Sequence, residues 1–162
     1  MLKIKRLDPA ATLPTVAHPG TDLGFDLYAL EATALPPGVP VKVRTGIAVE
    51  APAGFGLVLG DRSSMAARGI TYMGGRIDAG YRGELLICLV NVNQPALALT
   101  RNADGLLTDA SLDTAAATLH IAAGDKIAQI SPLSVHTSWP IVEVDQLADS
   151  ARAAKGFGSS GR

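Results

Sequence analysis

Charged residues are scarce in this 162-residue chain, at 18% of the sequence against about 25% in an average soluble domain. Apolar residues reach 48%, so less of the surface than usual is suited to contact with water. Burial between subunits would account for this composition. The net charge of −1 gives no long-range attraction to nucleic acid or anionic lipid. We therefore expect no nucleic-acid partner, and a bound polyanion would have to be held by local groups.

Cysteines and long apolar runs are also nearly absent. The single cysteine, Cys88, cannot form an internal disulfide, and its apolar surroundings from Leu85 to Val90 are typical of a buried thiol in a reducing cytosol. No segment approaches the roughly 20 apolar residues of a membrane helix, and no apolar stretch follows the basic residues at the N-terminus. The sequence therefore predicts a cytoplasmic protein with no membrane partner.

Short apolar or alternating runs separated by Gly and Pro indicate an all-β fold, either a sandwich or a barrel. Turns such as Pro36-Pro37-Gly38 and Gly74-Gly75 interrupt any long helical period. With no internal repeat and no linker, residues 1–162 are predicted to form one domain, a size that can bury roughly two-thirds of its unfolded surface. The predicted strands include Val41 to Arg44, Gly56 to Leu59, Leu85 to Val90, Leu119 to Ile121 and Ile141 to Val144.

Three segments depart from this strand pattern. One short helix is predicted at Ser64 to Arg68, with Ser63 as its capping hydroxyl and Gly69 ending it. Residues 95–118 are rich in Ala, Thr and Asp and resemble a surface insertion between two strands, in which a helical turn is neither predicted nor excluded. Residues 148–162 are small and polar, cannot bury enough surface to fold alone, and are predicted to form a flexible C-terminal tail.

Two local patterns suit phosphate. Arg62, Ser63 and Ser64 place a guanidinium fork, two hydroxyls and free backbone N–H groups at the start of the predicted helix. An ordinary N-cap beside a solvated arginine explains this segment equally well. The terminal run from Gly156 to Gly161 supplies backbone N–H groups, hydroxyls and the ring of Phe157, although taken alone it reads more simply as a disordered end.

Two aspartates and a glutamine complete the candidate site. Glycines and a tyrosine frame Asp78 between strand-like segments, which predicts a hairpin that presents a carboxylate, but this is also ordinary turn chemistry. Asp26 lies inside the apolar run from Gly24 to Ala29, where an unpaired charge is expensive, so we expect a metal or an arginine beside it. Gln129, in a turn leading into a strand, either donates to an oxygen or faces solvent.

The remaining polar and aromatic groups support no site. No metal-ligand spacing links His18, His120 and His136, and neither a serine-nucleophile motif nor a P-loop is present. We interpret the histidines as structural or surface groups. Trp139, which precedes a proline, is interpreted as a core or interface residue.

Taken in order, the five candidate segments resemble the five motifs of the trimeric dUTPase family, over residues 24–161. The similarity is strongest in Ile77-Asp78-Ala79-Gly80-Tyr81-Arg82-Gly83-Glu84 and in Gly156-Phe157-Gly158-Ser159-Ser160-Gly161. It implies a jelly-roll-like β-barrel subunit and a homotrimer with active sites at subunit boundaries, where the C-terminal tail of one subunit closes over a neighbour's site. It also implies hydrolysis of dUTP to dUMP and pyrophosphate with Mg²⁺, a step of pyrimidine deoxynucleotide metabolism.

Carried over to this sequence, the resemblance implies that Asp78 is the general base for in-line attack of water on the α-phosphorus. Asp26 would hold Mg²⁺ through water. Tyr81 would pack on the deoxyribose, while the backbone from Gly75 through Ile77 to Glu84 reads the uracil edge. The phosphates would be bound by Arg62, Ser63, Ser64 and Gln129 and, as the tail orders, by Arg152, Gly158, Ser159 and Ser160, with Phe157 covering the uracil ring.

One departure and two alternatives accompany this interpretation. Tyr72 stands where many relatives carry an asparagine, so one side-chain contact to uracil is missing or replaced. A dCTP deaminase-like enzyme would share the fold but needs a glutamate where this chain has Cys88, and a buried thiol cannot easily replace its proton transfers. A non-catalytic nucleotide-binding trimeric β module is the third possibility, against which the presence of both Asp78 and Asp26 argues.

Overall fold

The computed structural model of the chain describes residues 1–149. Their regular structure consists of twelve strands and two single-turn helices. The helices are α1 (Ser63–Ala66) and α2 (Thr114–Ala117). The strands are β1 (Lys3–Arg6), β2 (Phe25–Tyr28), β3 (Thr33–Leu35), β4 (Val41–Glu50), β5 (Phe55–Gly60), β6 (Ile70–Met73), β7 (Arg76–Ile77), β8 (Glu84–Asn91), β9 (Ala96–Arg101), β10 (Leu107–Asp113), β11 (Leu119–Ile121) and β12 (Lys126–Ser134).

Eight of these strands form two four-stranded antiparallel sheets. One sheet has the order β1-β4-β8-β6, and the other has the order β2-β12-β5-β7. Strands β3 and β11 form a small antiparallel pair, and β9 and β10 form a hairpin. Double-sheet antiparallel folds of eight strands are the jelly-roll type. The predicted all-β, jelly-roll-like fold is therefore confirmed.

The core is built from alternating residues of strands in both sheets. Along β8, Leu85, Ile87 and Leu89 are at most 2% exposed, whereas Leu86 between them is 45% exposed. Ile130 of β12 brings the other sheet into the same cluster. Because successive side chains of a strand point to opposite faces, each strand offers one apolar face to this interior. Each fully buried Leu or Ile contributes roughly 1.5–3 kcal/mol, so the strands that carry the candidate site are firmly anchored.

The predicted short helix is present, but it begins one residue earlier than expected. Arg62 has the extended backbone of an N-cap and makes no side-chain capping hydrogen bond. Ser63 is thus the first helical residue, and its predicted role as the capping hydroxyl is wrong. Gly69 ends the helical segment as predicted: it adopts a left-handed φ of 75°, and its N–H donates to the carbonyl of Ala66 at 2.9 Å.

Residues 96–117 contain the β9–β10 hairpin followed by α2. Every residue of both hairpin strands is exposed, including Leu97, Leu99 and Leu112. The Asp113 carboxylate caps α2 by accepting a hydrogen bond from the N–H of Ala116 at 2.9 Å. Residues 1–149 therefore contain two short helices rather than the one that was predicted.

A buried amide ties this segment to the core. Asn91, at the end of β8, has no solvent exposure, and its Nδ2 donates to the carbonyls of Leu35 and Ala117 at 3.0 and 2.8 Å. Its Oδ1 accepts from the backbone and side-chain nitrogens of Asn93 at 3.0 and 2.8 Å. All the hydrogen-bonding groups of the Asn91 side chain are thus used, as burial requires.

Residues 135–149 form neither helix nor strand, although Ile141 to Val144 was predicted to be a strand. Ile141 is fully exposed and Val142 is 71% exposed. The prediction is wrong for the single subunit, because this segment pairs with no strand of residues 1–149. Trp139 is also 71% exposed, so it is not a core residue; a role at an interface stays a prediction.

Candidate active site

Asp26 lies in β2 and is only 5% exposed. Its backbone pairs with Thr15 on one side and with Gln129 of β12 on the other. A buried carboxylate without partners would be costly. Here Oδ1 accepts hydrogen bonds from Arg62 Nη1 and, at 3.0 Å, from Gln129 Nε2, while Lys126 Nζ lies 2.8 Å from Oδ2. The prediction of an arginine beside Asp26 is therefore confirmed.

Lys126 was not among the predicted site residues, and the geometry of β12 explains why. In a regular strand, side chains three positions apart point to opposite faces, which would separate Lys126 from Gln129. The pairing of β12 with β2 shifts register between Lys126 and Ala128, and such an irregularity re-aims a side chain. Both groups consequently reach the Asp26 carboxylate. The available signal was a cation at the turn that leads into the strand of Gln129.

The ion pairs set the protonation of this cluster. Burial by itself would raise the pKa of Asp26, but hydrogen bonds from Lys126, Gln129 and Arg62, together with the charge of Arg62, hold the pKa below its ordinary value. The hydrogen bond to Asp26, and then its negative charge, raise the pKa of Lys126. Asp26 is therefore a carboxylate and Lys126 an ammonium over a wide pH range.

Arg62 keeps one donor available. Its Nε atom is buried and has no hydrogen-bond partner within residues 1–149. A buried donor without an acceptor is costly, so this atom is suited to an additional acceptor such as a phosphate oxygen. Ser63 and Ser64 follow directly in α1 and are exposed, which leaves their hydroxyls accessible.

The segment around Asp78 is not the predicted hairpin. Strand β7, just before Asp78, pairs with β5, whereas β8, which begins at Glu84, belongs to the other sheet. Residues 78–83 therefore cross from one sheet to the other, and we call them the crossover turn. The turn is held by the N–H of Tyr81, which donates to the Asp78 carbonyl at 3.0 Å, and by Arg82 Nη1, which donates to the carbonyls of Ala79 and Tyr81 at 2.8 Å.

A cleft of about 180 Å³ opens beside the crossover turn. Its lining includes Ile77, Asp78 and Tyr81, three of the predicted site residues. Asp78 is exposed, and none of the hydrogen bonds or ion pairs formed within residues 1–149 uses its carboxylate. The Tyr81 hydroxyl donates to the carbonyl of Glu84 at 2.9 Å, which fixes the ring at the cleft. The cleft therefore combines a free carboxylate with an oriented aromatic ring.

Tyr72 supports the backbone that leads into this cleft. Its hydroxyl donates to the carbonyl of Leu59 at 2.9 Å, and the Leu59 N–H donates to the carbonyl of Gly75 at 2.7 Å. The ring lies so close to Gly75 that a Cβ there would be 2.4 Å from Tyr72 Cε2. Only glycine fits this approach. Tyr72 thus braces residues 73–77 against β5.

Within one subunit the predicted residues form two groups. Arg62 and Gln129 both bond to Asp26, but none of these three residues lines the cleft that contains Asp78 and Tyr81. The predicted residues of the tail, Arg152, Phe157, Gly158, Ser159 and Ser160, lie outside the described part of the chain. In residues 1–149 no group of three or more His, Cys, Asp or Glu residues is arranged to hold a metal ion.

Comparison with known proteins connects this geometry to a family. A family model described as dUTPase matches residues 10–103. The curated deoxyuridine 5'-triphosphate nucleotidohydrolase of Thermobifida fusca is 42% identical to this chain, over 99% of the chain and 78% of that protein. The corresponding protein of Solibacter usitatus is 39% identical, over 99% of the chain and 96% of its own length.

The chain belongs to the dUTPase family. Among solved structures, a point mutant of the Staphylococcus bacteriophage 80alpha dUTPase with dUpNHpp is 28% identical and matches with a TM-score of 0.81, over 100% of this chain and 99% of that one. A mutant dUTPase from phage phi11 of S. aureus, described with a structural Mg(II) ion, is 26% identical and matches with a TM-score of 0.72, over 90% of this chain and 97% of that one.

Membership of the dUTPase family confirms the resemblance in the sequence motifs and the predicted enzyme class, hydrolysis of dUTP. The relatives lend no support to the deaminase or to the non-catalytic module. Cys88, at the position where a deaminase would need its glutamate, lies half-buried in β8 opposite Lys42 and Met73. No helix within residues 1–149 has the length and apolar character needed to span a membrane.

Proposed function

We propose that the enzyme hydrolyses dUTP to dUMP and pyrophosphate by in-line attack of water on the α-phosphorus, with Asp78 as the general base. The observation that carries this proposal is the position of Asp78, exposed in the cleft with no partner for its carboxylate in residues 1–149. A carboxylate in that situation can take a proton from a water within hydrogen-bond reach. Phosphoryl transfer asks little else of it than to orient and deprotonate the water.

The same cleft accommodates the nucleoside. We assign the Tyr81 ring, held by its bond to the Glu84 carbonyl, to contact with the deoxyribose, where it leaves no room for a 2′-hydroxyl. The backbone of Gly75 and Ile77 would read the uracil edge, since a site that pairs every polar group rejects bases that leave one unpaired. Tyr72, engaged with Leu59, supports this backbone instead of contacting the base itself.

The triphosphate is assigned to the second group of residues. The guanidinium of Arg62, the hydroxyls of Ser63 and Ser64, and the amide of Gln129 would bind the phosphate oxygens, because charge-assisted and bidentate hydrogen bonds suit phosphate. The buried Nε of Arg62 supports this assignment, since a phosphate oxygen would supply the acceptor it needs.

Magnesium stays a prediction for this enzyme. Mg²⁺ prefers oxygen ligands and is usually held by one or two carboxylates plus substrate phosphates. Asp26 fits the predicted role of holding it through water poorly, because the positive charges of Arg62 and Lys126 already face its carboxylate and oppose a nearby cation. No step of the mechanism is therefore routed through the metal.

We also propose a homotrimer with dUTP as substrate. Because the Asp78 cleft and the Asp26 group are separate in one subunit, a neighbouring subunit would bring them together. The exposed Trp139, Ile141 and Val142 support burial of residues 135–149 between subunits, since large apolar side chains together on a surface mark interfaces. The tail, with Arg152, Phe157, Gly158, Ser159 and Ser160, would then close over a neighbour's site.

Residues 1–162 are proposed to form one dUTPase domain that acts in the cytoplasm in pyrimidine deoxynucleotide metabolism. The net charge of −1 supports the absence of a nucleic-acid partner, because a protein binding along a phosphate backbone needs a basic surface.

Substitution of Asp78 by Asn tests the proposed base. The Asp78→Asn enzyme should bind dUTP normally yet lose about 10²–10⁴-fold in kcat, the usual contribution of a general base. Pyrophosphate release and nucleotide binding would be measured in parallel. Asp104→Asn, a change of an exposed turn aspartate in the β9–β10 hairpin, is the matched control. Near-normal turnover of the Asp78→Asn enzyme would remove this residue from the role of base.

Product analysis separates the alternatives. Wild-type enzyme supplied with dUTP, dCTP, dTTP and UTP should release pyrophosphate from dUTP. Ammonia from dCTP would favour the deaminase despite Cys88. Nucleotide binding without any product would favour the non-catalytic module.

A further inference from the structure

We infer that Asp26 is a positioning residue that holds Arg62 and Lys126 together in a preformed binding site for polyphosphate, and that Lys126 is a phosphate-binding residue in its own right. The inference rests on the proposed assignment of the triphosphate to Arg62 and Gln129. It replaces the predicted role of Asp26 as a carboxylate that holds magnesium through water.

The contacts of Asp26 come from two elements that are distant in sequence. Arg62 is the N-cap of α1, while Lys126 and Gln129 lie on β12. All three donors meet at the one carboxylate, and together they use both of its oxygens. The two cations beside Asp26 also oppose the approach of a metal ion to its carboxylate.

The charges of the cluster favour an anion. Two cations face one carboxylate, so Asp26, Arg62 and Lys126 together carry a net positive charge. The Lys126 side chain is 41% exposed and can turn to an incoming ligand, whereas that of Arg62 is 21% exposed, with a buried Nε that has no hydrogen-bond partner within residues 1–149. A polyphosphate would therefore meet an excess positive charge, and a phosphate oxygen that reached Nε would satisfy this donor.

Asp26 also keeps the two cations close together. Arg62 and Lys126 carry like charges, and their mutual repulsion favours an arrangement in which they separate. The carboxylate between them offsets that repulsion and fixes their positions before a ligand arrives, which lowers the ordering cost of binding. Removal of Asp26 would make the site more positive but less ordered.

Removing the Asp26 carboxylate has two opposite effects on anion binding: the more positive site strengthens it, and the loss of order between the cations weakens it. Binding of inorganic tripolyphosphate would be measured by calorimetry in the presence of EDTA, for the wild-type enzyme and for Asp26→Asn. If Asp26 positions the cations, the variant binds about tenfold more weakly, the loss of roughly one charge-assisted hydrogen bond, although its site is more positive. If Asp26 serves a metal, the variant binds as tightly as the wild type or more tightly in EDTA and is weakened only when Mg²⁺ is added. The second outcome would overturn the inference.

Two further variants complete the design. Lys126→Gln should also bind tripolyphosphate about tenfold more weakly in EDTA, and unchanged binding would remove Lys126 from the site. Because this side chain is partly exposed, the substitution should not prevent folding, so the inference stays testable even if Asp26→Asn is unstable. Asp61→Asn removes the same charge next to Arg62 without touching the cluster, since Asp61 is exposed and, within residues 1–149, accepts only from Thr71 at 3.4 Å. Its affinity should stay at the wild-type level or rise slightly.

The inference and the proposed function fail in different ways. A wild-type enzyme that hydrolyses dUTP but does not bind tripolyphosphate in EDTA would overturn the preformed site and leave the proposed function intact. A wild-type enzyme that binds tripolyphosphate, with the losses expected for Asp26→Asn and Lys126→Gln, but hydrolyses no dUTP would support the site and overturn the proposed function.

Discussion

The hydroxyl of Tyr72 donates a hydrogen bond to the backbone carbonyl of Leu59, across the gap between the two sheets, with 2.9 Å between the oxygens. The N–H of the same Leu59 donates to the carbonyl of Gly75 at 2.7 Å. One residue of β5 therefore fixes both ends of the short loop that leads from β6 into β7. Leu59 also lines the cleft proposed for the nucleoside.

Tyr72→Phe should weaken substrate binding more than it slows turnover. The ring would still pack on Gly75, but the hydrogen bond to Leu59 would be lost, a change worth about 1 kcal/mol. The loop proposed to read the base would be less ordered, so we expect KM for dUTP to rise about threefold to tenfold with little change in kcat. Steady-state kinetics would measure both constants.

A neighbouring substitution provides the control for Tyr72→Phe. Thr71→Val, in the same strand, removes only an exposed 3.4 Å hydrogen bond to Asp61. Its KM should match that of the wild type. Equal KM values for Tyr72→Phe and Thr71→Val would show that the contact with Leu59 does not order the cleft.

Gly75→Ala should destabilise the fold through a direct clash. The new Cβ would lie 2.4 Å from Tyr72 Cε2, a distance that forces the ring or the backbone to move. We expect a loss of about 1–3 kcal/mol in the free energy of unfolding, measured by urea denaturation at one protein concentration. Gly80→Ala is the control, because nothing lies within 4 Å of a Cβ at that position.

A double substitution identifies the ring as the cause. Combining Gly75→Ala with Tyr72→Leu removes the atom that the methyl group meets. The two changes should then be non-additive by about 0.5–3 kcal/mol, with the double variant more stable than the sum of the single losses predicts. Strict additivity would place the effect of Gly75→Ala in the backbone and not in contact with Tyr72.

Strands marked by short continuous or alternating apolar runs were predictable from sequence, whereas their pairing was not. The run from Leu85 to Val90 alternates buried and outward-facing residues, and it forms β8 as expected. The hairpin predicted around Asp78 is absent because β7 and β8 lie in different sheets, and an alternating pattern carries no information about which strands pair. Ile141 to Val144 also alternates, yet it pairs with no strand of residues 1–149.

The sequence predicts those parts of the candidate site that follow from charge pairing, but not those that depend on the local geometry of a strand. Asp26 in an apolar run required a partner of opposite charge, and Arg62 fulfils that requirement. Lys126 escaped notice because the irregularity in β12 places it on the same side as Gln129, against the regular period of a strand. Asp78 and the Asp26 group lie apart in one subunit, and only the proposed trimer would bring them together, which local sequence patterns do not predict.

Asn91→Leu should be among the most destabilising single changes in the described part of the chain. The substitution keeps most of the side-chain volume, but it leaves the buried carbonyl of Leu35 and the partly buried carbonyl of Ala117 without their donor and removes the acceptor used by Asn93. Each unsatisfied buried group costs about 1–3 kcal/mol, so a loss of about 3 kcal/mol or more in the free energy of unfolding is expected. Urea denaturation would measure it.

Gln94→Leu is the matched control for Asn91→Leu, because it makes a similar exchange of amide for leucine at an exposed position three residues away. Its stability should stay within about 0.5 kcal/mol of the wild type.

Limited proteolysis would test separately whether Asn91 anchors residues 96–117. The Asn91→Leu chain should be cut faster within residues 96–117, since Asn91 ties the end of α2 to β3. Equal cleavage rates would mean that the segment is anchored by other contacts.

The acid and alkaline limits of stability should both depend on the Asp26–Lys126 pair. The folded-state pKa of Asp26 lies below its ordinary value of 3.8, so its ion pairs stabilise the protein above that pH, and the stabilisation is lost as the pH falls through the lowered pKa. The folded-state pKa of Lys126 lies above its ordinary value of 10.5, so its contribution is complete below that pH and is lost as the pH rises through the raised pKa.

Urea denaturation at one protein concentration, from about pH 2 to about pH 11, would measure this dependence for wild type and Asp26→Asn. The difference between their free energies of unfolding should be constant at intermediate pH and should decline at both ends of the range. Lys126→Gln should remove the decline at the alkaline end and weaken the acid one without abolishing it, because Arg62 and Gln129 still hold the carboxylate. A difference that is constant across the whole range would show that neither ion pair contributes to the stability of the folded protein.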